Sequence, residues 1–206
     1  MLTKLPDNIL TTIWQKVPLS IREHIMPGSW LAGGAIRDLI IGEVPVDWDI
    51  FKTGLMKARQ LITTYDGLKI DSVTLPVPVL ERVKEFDYRC CMVAIGRTLQ
   101  CKLLSVMDSN AYEDIVNRRL VVNPQCVYFG KLKERMEKFV VRGWTIDKEN
   151  QQLVNLLYAS QYRPQERQPT PTNFPPDFFY SPTGTLNMLR SQFEQDLASA
   201  TFYSER

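Results

Sequence analysis

Apolar residues Leu10, Ile13, Trp14 and Val17 recur at the i, i+3, i+4, i+7 spacing of one helix face, so the chain from Leu5 to Ile25 is expected to be helical. Pro6-Asp7 opens the first of two short helices. Ser20-Ile21-Arg22-Glu23 has the capping-box pattern of the second, and Pro27-Gly28 ends the pair. The period then changes. In Val46-Asp47-Trp48-Asp49-Ile50 apolar and acidic residues alternate, which predicts a strand with Val46, Trp48 and Ile50 on the core face and Asp47 and Asp49 together on the other. Leu55 to Tyr65 is expected as a helix, Lys69 to Thr74 as a strand, and Leu75-Pro76-Val77-Pro78 as a break. Lys84 to Ile95 alternates again and predicts a strand with Asp87, Arg89 and Cys91 on one face and Phe86, Tyr88, Cys90 and Met92 on the other.

Further along, Tyr112-Glu113-Asp114 starts a structural helix, and Lys131 to Arg142 reads as a helix on which Lys131, Arg135, Lys138 and Arg142 share one face. Arg163 to Pro182 is proline-rich and is expected to be an extended or irregular linker. A last helix, Thr185 to Ala198, carries Leu186, Leu189, Phe193 and Leu197 on a stripe that should dock on the body.

With 206 residues, the chain has room for one ordinary domain or two small ones sharing a core. A net charge of +2 does not by itself point to nucleic acid; the placement of the charge matters more. No apolar run approaches the roughly 20 residues of a membrane span, and MLTKLPDNIL lacks the apolar centre of a signal peptide, so a cytoplasmic location is expected and no membrane partner. Cys90, Cys91, Cys101 and Cys126 show no CxxC spacing, and His24 has no ligand partner near it in sequence. Buried thiols, and not a zinc site, are expected.

The chemistry concentrates in Ser29 to Lys52, SWLAGGAIRDLIIGEVPVDWDIFK. Two carboxylates on one strand face repel unless something neutralises them, and a hard divalent cation such as Mg²⁺ does so economically. Upstream, Gly33 and Gly34 let backbone approach a ligand closely, the helix start that follows offers N–H groups to an anion, and Arg37 sits within that first turn. Glycine turn, arginine and DxD strand together read as a triphosphate cradle beside a metal site.

GGAIRDLIIGEVPVDWDIF resembles the signature GGxVRDxLLGxxxxDxDI of the DNA polymerase β nucleotidyltransferase superfamily, in particular the head of bacterial-type CCA-adding enzymes and poly(A) polymerases. FDYRCCMVA is similar to the second motif of that family, RRDFTINAMA: Asp87 stands on its aspartate, Tyr88 on its phenylalanine and Ala94 on its last alanine, whereas Glu85-Phe86 replace the arginine pair and Cys91 the asparagine. KLKERMEKFVVRGWTID resembles the neck helix LRxxRFxxxLGFxID, with Arg135 and Phe139 matching and Lys138 where the second arginine would stand. The likeness runs from about Ser29 to Asn150, and no EDxxR base-selecting motif follows Asp147.

The resemblance implies an α/β (α+β) fold: a small mixed-sheet nucleotidyltransferase head over residues 1–122, a helical neck over 123–162, and the Pro-rich tail with its terminal helix over 163–206. It implies two Mg²⁺ ions on Asp47 and Asp49, with Asp87 a third metal ligand or a ribose contact. It also implies NTP phosphates on Gly33, Gly34 and Arg37, Asp38 bracing the turn, and Arg135 and Lys138 facing the nucleotide. The implied reaction is Mg²⁺-dependent transfer of NMP from an NTP (ATP or CTP) to an acceptor hydroxyl, with a tRNA-like RNA 3′ end as first choice. Transfer to a protein or small molecule, and a non-catalytic nucleotide- or RNA-binding module, stand as alternatives.

Overall fold

The structure is a computed structural model that describes residues 2–160, apart from 99 and 128. The expected proline-rich linker and terminal helix lie outside the described residues. In chain order the elements are β1 (Leu2–Thr3), α1 (Asp7–Lys16), α2 (Leu19–Arg22), β2 (Ser29–Ala32), α3 (Gly34–Ile40), β3 (Trp48–Thr53), β4 (Ala58–Thr63), β5 (Lys69–Leu75), α4 (Val79–Lys84), β6 (Val93–Arg97), β7 (Leu103–Asp108), α5 (Ala111–Val116), β8 (Arg119–Leu120), α6 (Leu132–Val141), β9 (Thr145–Ile146) and α7 (Lys148–Ser160). Short 3₁₀ turns at Arg89–Cys91 and Phe129–Lys131 complete them.

Seven strands form one mixed sheet in the order β1-β7-β6-β2-β3-β5-β4. Only β3 and β5 pair in parallel; the other pairings in this sheet are antiparallel. Strands β8 and β9 form a separate parallel pair. On one face, Leu31, Trp48, Ile50, Ile70 and Ile95 join a core with the apolar sides of α1, α3, α5, α6 and α7. On the other face, Trp30, Phe51, Ala94 and Val106 pack under Val79, Leu80 and Val83 of α4. Helix α4 touches β3 and β6, and Leu75 of β5 joins its apolar cluster, whereas β4 is almost wholly exposed. Among the described residues no helix is long and apolar enough to cross a membrane.

Several expectations need correction. Leu55 to Tyr65 is not a helix: Ala58–Thr63 is the edge strand β4, joined to β5 by a tight turn at Tyr65-Asp66-Gly67, where Thr64 N donates to Leu68 O (2.9 Å) and Gly67 has φ +81°. The Asp66-Gly67 pair is the local signal for this hairpin. Strand β3 begins at Trp48, so Val46 is 86% exposed and not a core residue. Ser20 caps no helix. Pro18 precedes α2, and the buried Ser20 hydroxyl donates to Asp66 (2.8 Å).

The largest correction concerns Lys84 to Ile95. Helix α4, started by Pro78, runs to Lys84; a loop and the 3₁₀ turn follow, and the strand begins only at Val93. The cause is distant in sequence. Buried Asn123 donates through Nδ2 to Lys84 O (2.6 Å) and Phe86 O (2.7 Å), and its N–H goes to Asp87 O (2.8 Å), while Arg89 N donates to Val121 O (2.9 Å). These bonds take up backbone groups that a strand would have offered to a neighbour.

Candidate active site

Strand β3 is placed by its own alternation: Trp48 and Ile50, each 2% exposed, anchor one face, which turns Asp49 to the other. Asp47 sits just before the strand, exposed to solvent. Parallel pairing sets Asp71 of β5 directly beside Asp49. Burial pushes the Asp49 carboxyl up to about 6, and the neighbouring charges of Asp47 and Asp71 push in the same direction. Asp49 and Asp71 thus stand side by side on adjacent strands, with Asp47 just before the first of them.

At the end of β2 the chain turns sharply through Gly33, with φ +81° and ψ −133°, into α3. A side chain is strained there whatever the space, so Gly33→Ala is expected to cost about 1–3 kcal/mol of stability, read from a urea melt. The Gly33 N–H is not free for an anion, because it donates to Val93 O (2.9 Å). Gly34 opens the helix, and a Cβ there would meet the Arg37 guanidinium at 3.3 Å.

A cleft of about 580 Å³ brings Gly33, Gly34, Asp49, Asp71, Asp87 and Arg135 together. Lys57, Arg59, Arg82 and Lys131 add positive charge to its walls, and Phe51 and Phe86, 5.8 Å apart, supply aromatic surface. A second cleft of about 650 Å³ lies behind the same sheet, against Ile50, Ile62 and Ile70, with Glu23 and Lys52 at its walls. It has neither the carboxylate pair nor the glycine turn, so the smaller cleft is the candidate site.

The sequence-derived residues do not all reach this cleft: Asp47 does not line it, although its charge acts on Asp49. Asp87 does, but from a loop and not from a strand face; its carboxylate accepts from Tyr88 N (3.0 Å) and pairs with Arg135 Nη1 of α6 (2.8 Å). Arg37 is 4% exposed and turned inward. Its Nε (2.8 Å) and Nη2 (2.6 Å) hold Asp38, its Nη1 donates to Cys91 Sγ (3.2 Å), and its guanidinium lies 4.6 Å from the Phe139 ring centre and 5.7 Å from that of Trp144. Asp38 also accepts from Arg142 (3.1 Å), which pairs with Glu43 as well. Lys138 is 69% exposed and pairs with Glu134 one turn back (2.6 Å). Thus Lys131, Arg135, Lys138 and Arg142 do not act as one face. Leu132, Met136 and Phe139 bury the opposite stripe, and each cation has its own surroundings.

Sequence reading missed Asp71, Arg59, Lys57 and Arg82. Ile70-Asp71-Ser72-Val73 alternates, which shows a strand, but no local pattern says that this strand lies next to β3. Cys90, Cys91 and Cys126 are buried as expected, and Cys101 is exposed.

Among the described residues, no three acidic, histidine or cysteine side chains already converge on a metal position. Asp71 is held by Arg59 and Asp87 by Arg135, which leaves Asp47 and Asp49 as the open pair. Asp47 and Asp49 offer carboxylate oxygens, which suit a hard cation of the Mg²⁺ type, and such an ion would offset both the burial and the Asp47 and Asp71 charges that push the Asp49 carboxyl up.

This sheet, glycine turn and acidic strand make a nucleotidyltransferase fold of the polymerase β type. Solved structures similar to it include the Thermotoga maritima CCA-adding enzyme complexed with tRNA, at a TM-score of 0.56 and 14% identity over 79% of this chain and 47% of that one. A CCA-adding enzyme with ATP matches at 0.57 and 17% over 79% and 46% of the two chains, and one with CTP at 0.54 and 16% over 75% and 46%. The chain spans about half the length of these structures. No protein-family profile and no curated protein matches its sequence.

Proposed function

We propose that this protein transfers NMP from an NTP to an acceptor hydroxyl, with an RNA 3′ end of the tRNA type as the acceptor. The observation that carries the reading is Asp49, facing the Gly33-Gly34 turn in a cleft lined by cations, with Asp47 near enough for its charge to act on the Asp49 carboxyl. Asp47 and Asp49 would hold Mg²⁺. When bound, two such ions activate the acceptor hydroxyl and stabilise the departing pyrophosphate. Gly34 leaves room for phosphate at the turn, and Arg135, fixed by Asp87, is set to meet the sugar or base side of the nucleotide. The likeness to structures holding ATP, CTP and tRNA supports this choice of substrates.

The test is incubation with each labelled NTP, Mg²⁺ and total RNA. Label on RNA is the expected result; label on protein or on a small molecule would reassign the acceptor. A second reading, a nucleotide-binding module without transfer, draws on the commitment of Asp71 and Asp87 to arginines. It predicts NTP binding with no labelled product.

The two neck residues should now behave differently. Arg135→Glu removes the partner of Asp87 and reverses charge at the cleft, so KM for NTP should rise about tenfold or more. Lys138→Glu should leave kinetics unchanged and move stability by no more than about 0.5 kcal/mol. Steady-state kinetics with each NTP separates the two; equal effects would contradict the placement of Arg135 alone at the nucleotide.

A further inference from the structure

Arg59 is the cation paired with Asp71 of the acidic cluster. It belongs to β4, the outermost strand, where its cross-strand partner Val73 puts it on the face shared by Asp71 and, one strand further, Asp49. Its guanidinium grips Asp71 as a fork, with Nε 2.9 Å from both carboxylate oxygens and Nη2 2.6 Å from Oδ2. The partners differ in freedom. The Asp71 side chain is 15% exposed, whereas that of Arg59 is 69% exposed and has room to leave.

Two vacancies in the cleft's chemistry match this arrangement. Arg37 and the Gly33 N–H, both expected on the phosphates, are occupied in the interior, so the triphosphate of an NTP at the glycine turn needs another donor. Asp71 lies beside Asp49 at the strand spacing of about 4.8 Å, close enough to join it around one cation, yet both its oxygens face Arg59. An exposed ion pair is weak in water, and a phosphate carries more charge and accepts the same fork.

We infer that Arg59 exchanges partners as substrate binds: in the ligand-free protein it holds Asp71 out of the acidic cluster, and on arrival of a divalent cation with NTP it releases Asp71 and closes on the triphosphate. This rests on the nucleotidyltransferase reading above. Arg59 is thereby a positioning residue that couples filling of the metal position to capture of the phosphates.

The experiment uses the full 206-residue chain as wild type, Arg59→Ala and Arg59→Lys. Mn²⁺ binding is followed by electron paramagnetic resonance, and binding of a nonhydrolysable ATP analogue and of AMP by calorimetry with Mg²⁺ present. Arg59→Ala should bind Mn²⁺ alone severalfold more tightly, because Asp71 is released. It should bind the ATP analogue about tenfold more weakly while AMP binding is unchanged, and Arg59→Lys should recover part of the loss. Unchanged Mn²⁺ and analogue affinities in Arg59→Ala overturn the exchange while leaving the nucleotidyltransferase reading intact. So does an equal loss for AMP and the analogue. A wild-type protein that binds neither Mn²⁺ nor the analogue overturns both.

Discussion

Replacing Asp49 with asparagine is expected to lower transfer by orders of magnitude and, in the ligand-free protein at neutral pH, to raise the melting temperature. The first effect follows from the loss of an anionic ligand at the acidic strand. The second follows from titration. The Asp49 carboxyl stands at about 6 in the fold against an ordinary 3.8, because burial and then Asp47 and Asp71 disfavour its charge. A carboxyl raised in this way stabilises the fold fully below about pH 4, and that contribution is lost as pH rises through about 6. At pH 7.5 the ionised group is a net cost on the order of 2–3 kcal/mol, so the amide should melt several degrees higher, with the gap closing toward pH 4. Mg²⁺ with NTP should stabilise wild type much more than the variant. A melting series from pH 4 to 8, with and without Mg²⁺ and NTP, run beside the labelled-NTP assay, checks both halves. A variant that transfers normally, or that melts lower without ligand, would show the acidic strand to be structural.

Asp114→Ala should be among the most damaging single changes to the fold. Asp114 is 0% exposed and accepts from Arg89 through Nε and Nη2 and from Arg119 through Nε (2.7 Å) and Nη2 (2.7 Å). It therefore ties α5 to the 3₁₀ turn at Arg89 and to β8. Asp114 is buried while Arg89 and Arg119 reach solvent in part, so losing it should cost about 2–4 kcal/mol, or roughly 10 °C in melting temperature. Urea unfolding of wild type and variant measures it, and a change below about 1 kcal/mol would mean that the arginines find water instead. Because Arg89 lies two residues after Asp87, the loosened turn should also blur nucleotide affinity in whatever folded variant remains.

The readable parts of the sequence were those in which one short segment carries its own instruction. Alternation in WDIF was enough to place Trp48 and Ile50 inside and Asp49 outside, and the i, i+3, i+4 pattern was enough for α1. It was not enough for β4, where ARQLIT is almost wholly exposed and has no core face to set a period. Nor could it place Asp87, whose loop is shaped by Asn123 from more than thirty residues away. Arg37 shows the same limit from another side. Its position after the glycine turn was legible, but its direction depends on Phe139 and Trp144, which only the folded chain brings beside it. Asp71 was legible as a strand residue and invisible as a site residue, because sheet order is not written in either strand.

The inward turn of Arg37 has a mechanical consequence. Through Asp38, Phe139, Trp144 and Arg142 it rivets α3, which begins at the glycine turn, to the end of α6, whose first half carries Arg135. Those two walls of the cleft form a single frame, and pulling them apart means breaking the Asp38–Arg142 ion pair and lifting Arg37 off the Phe139 and Trp144 rings. The β4–β5 hairpin on the opposite side pairs with the rest of the sheet along β3, and its turn is tied to α2 by the Ser20–Asp66 hydrogen bond. If the cleft takes a nucleotide as proposed, the α3–α6 side is the part of its wall braced from the interior.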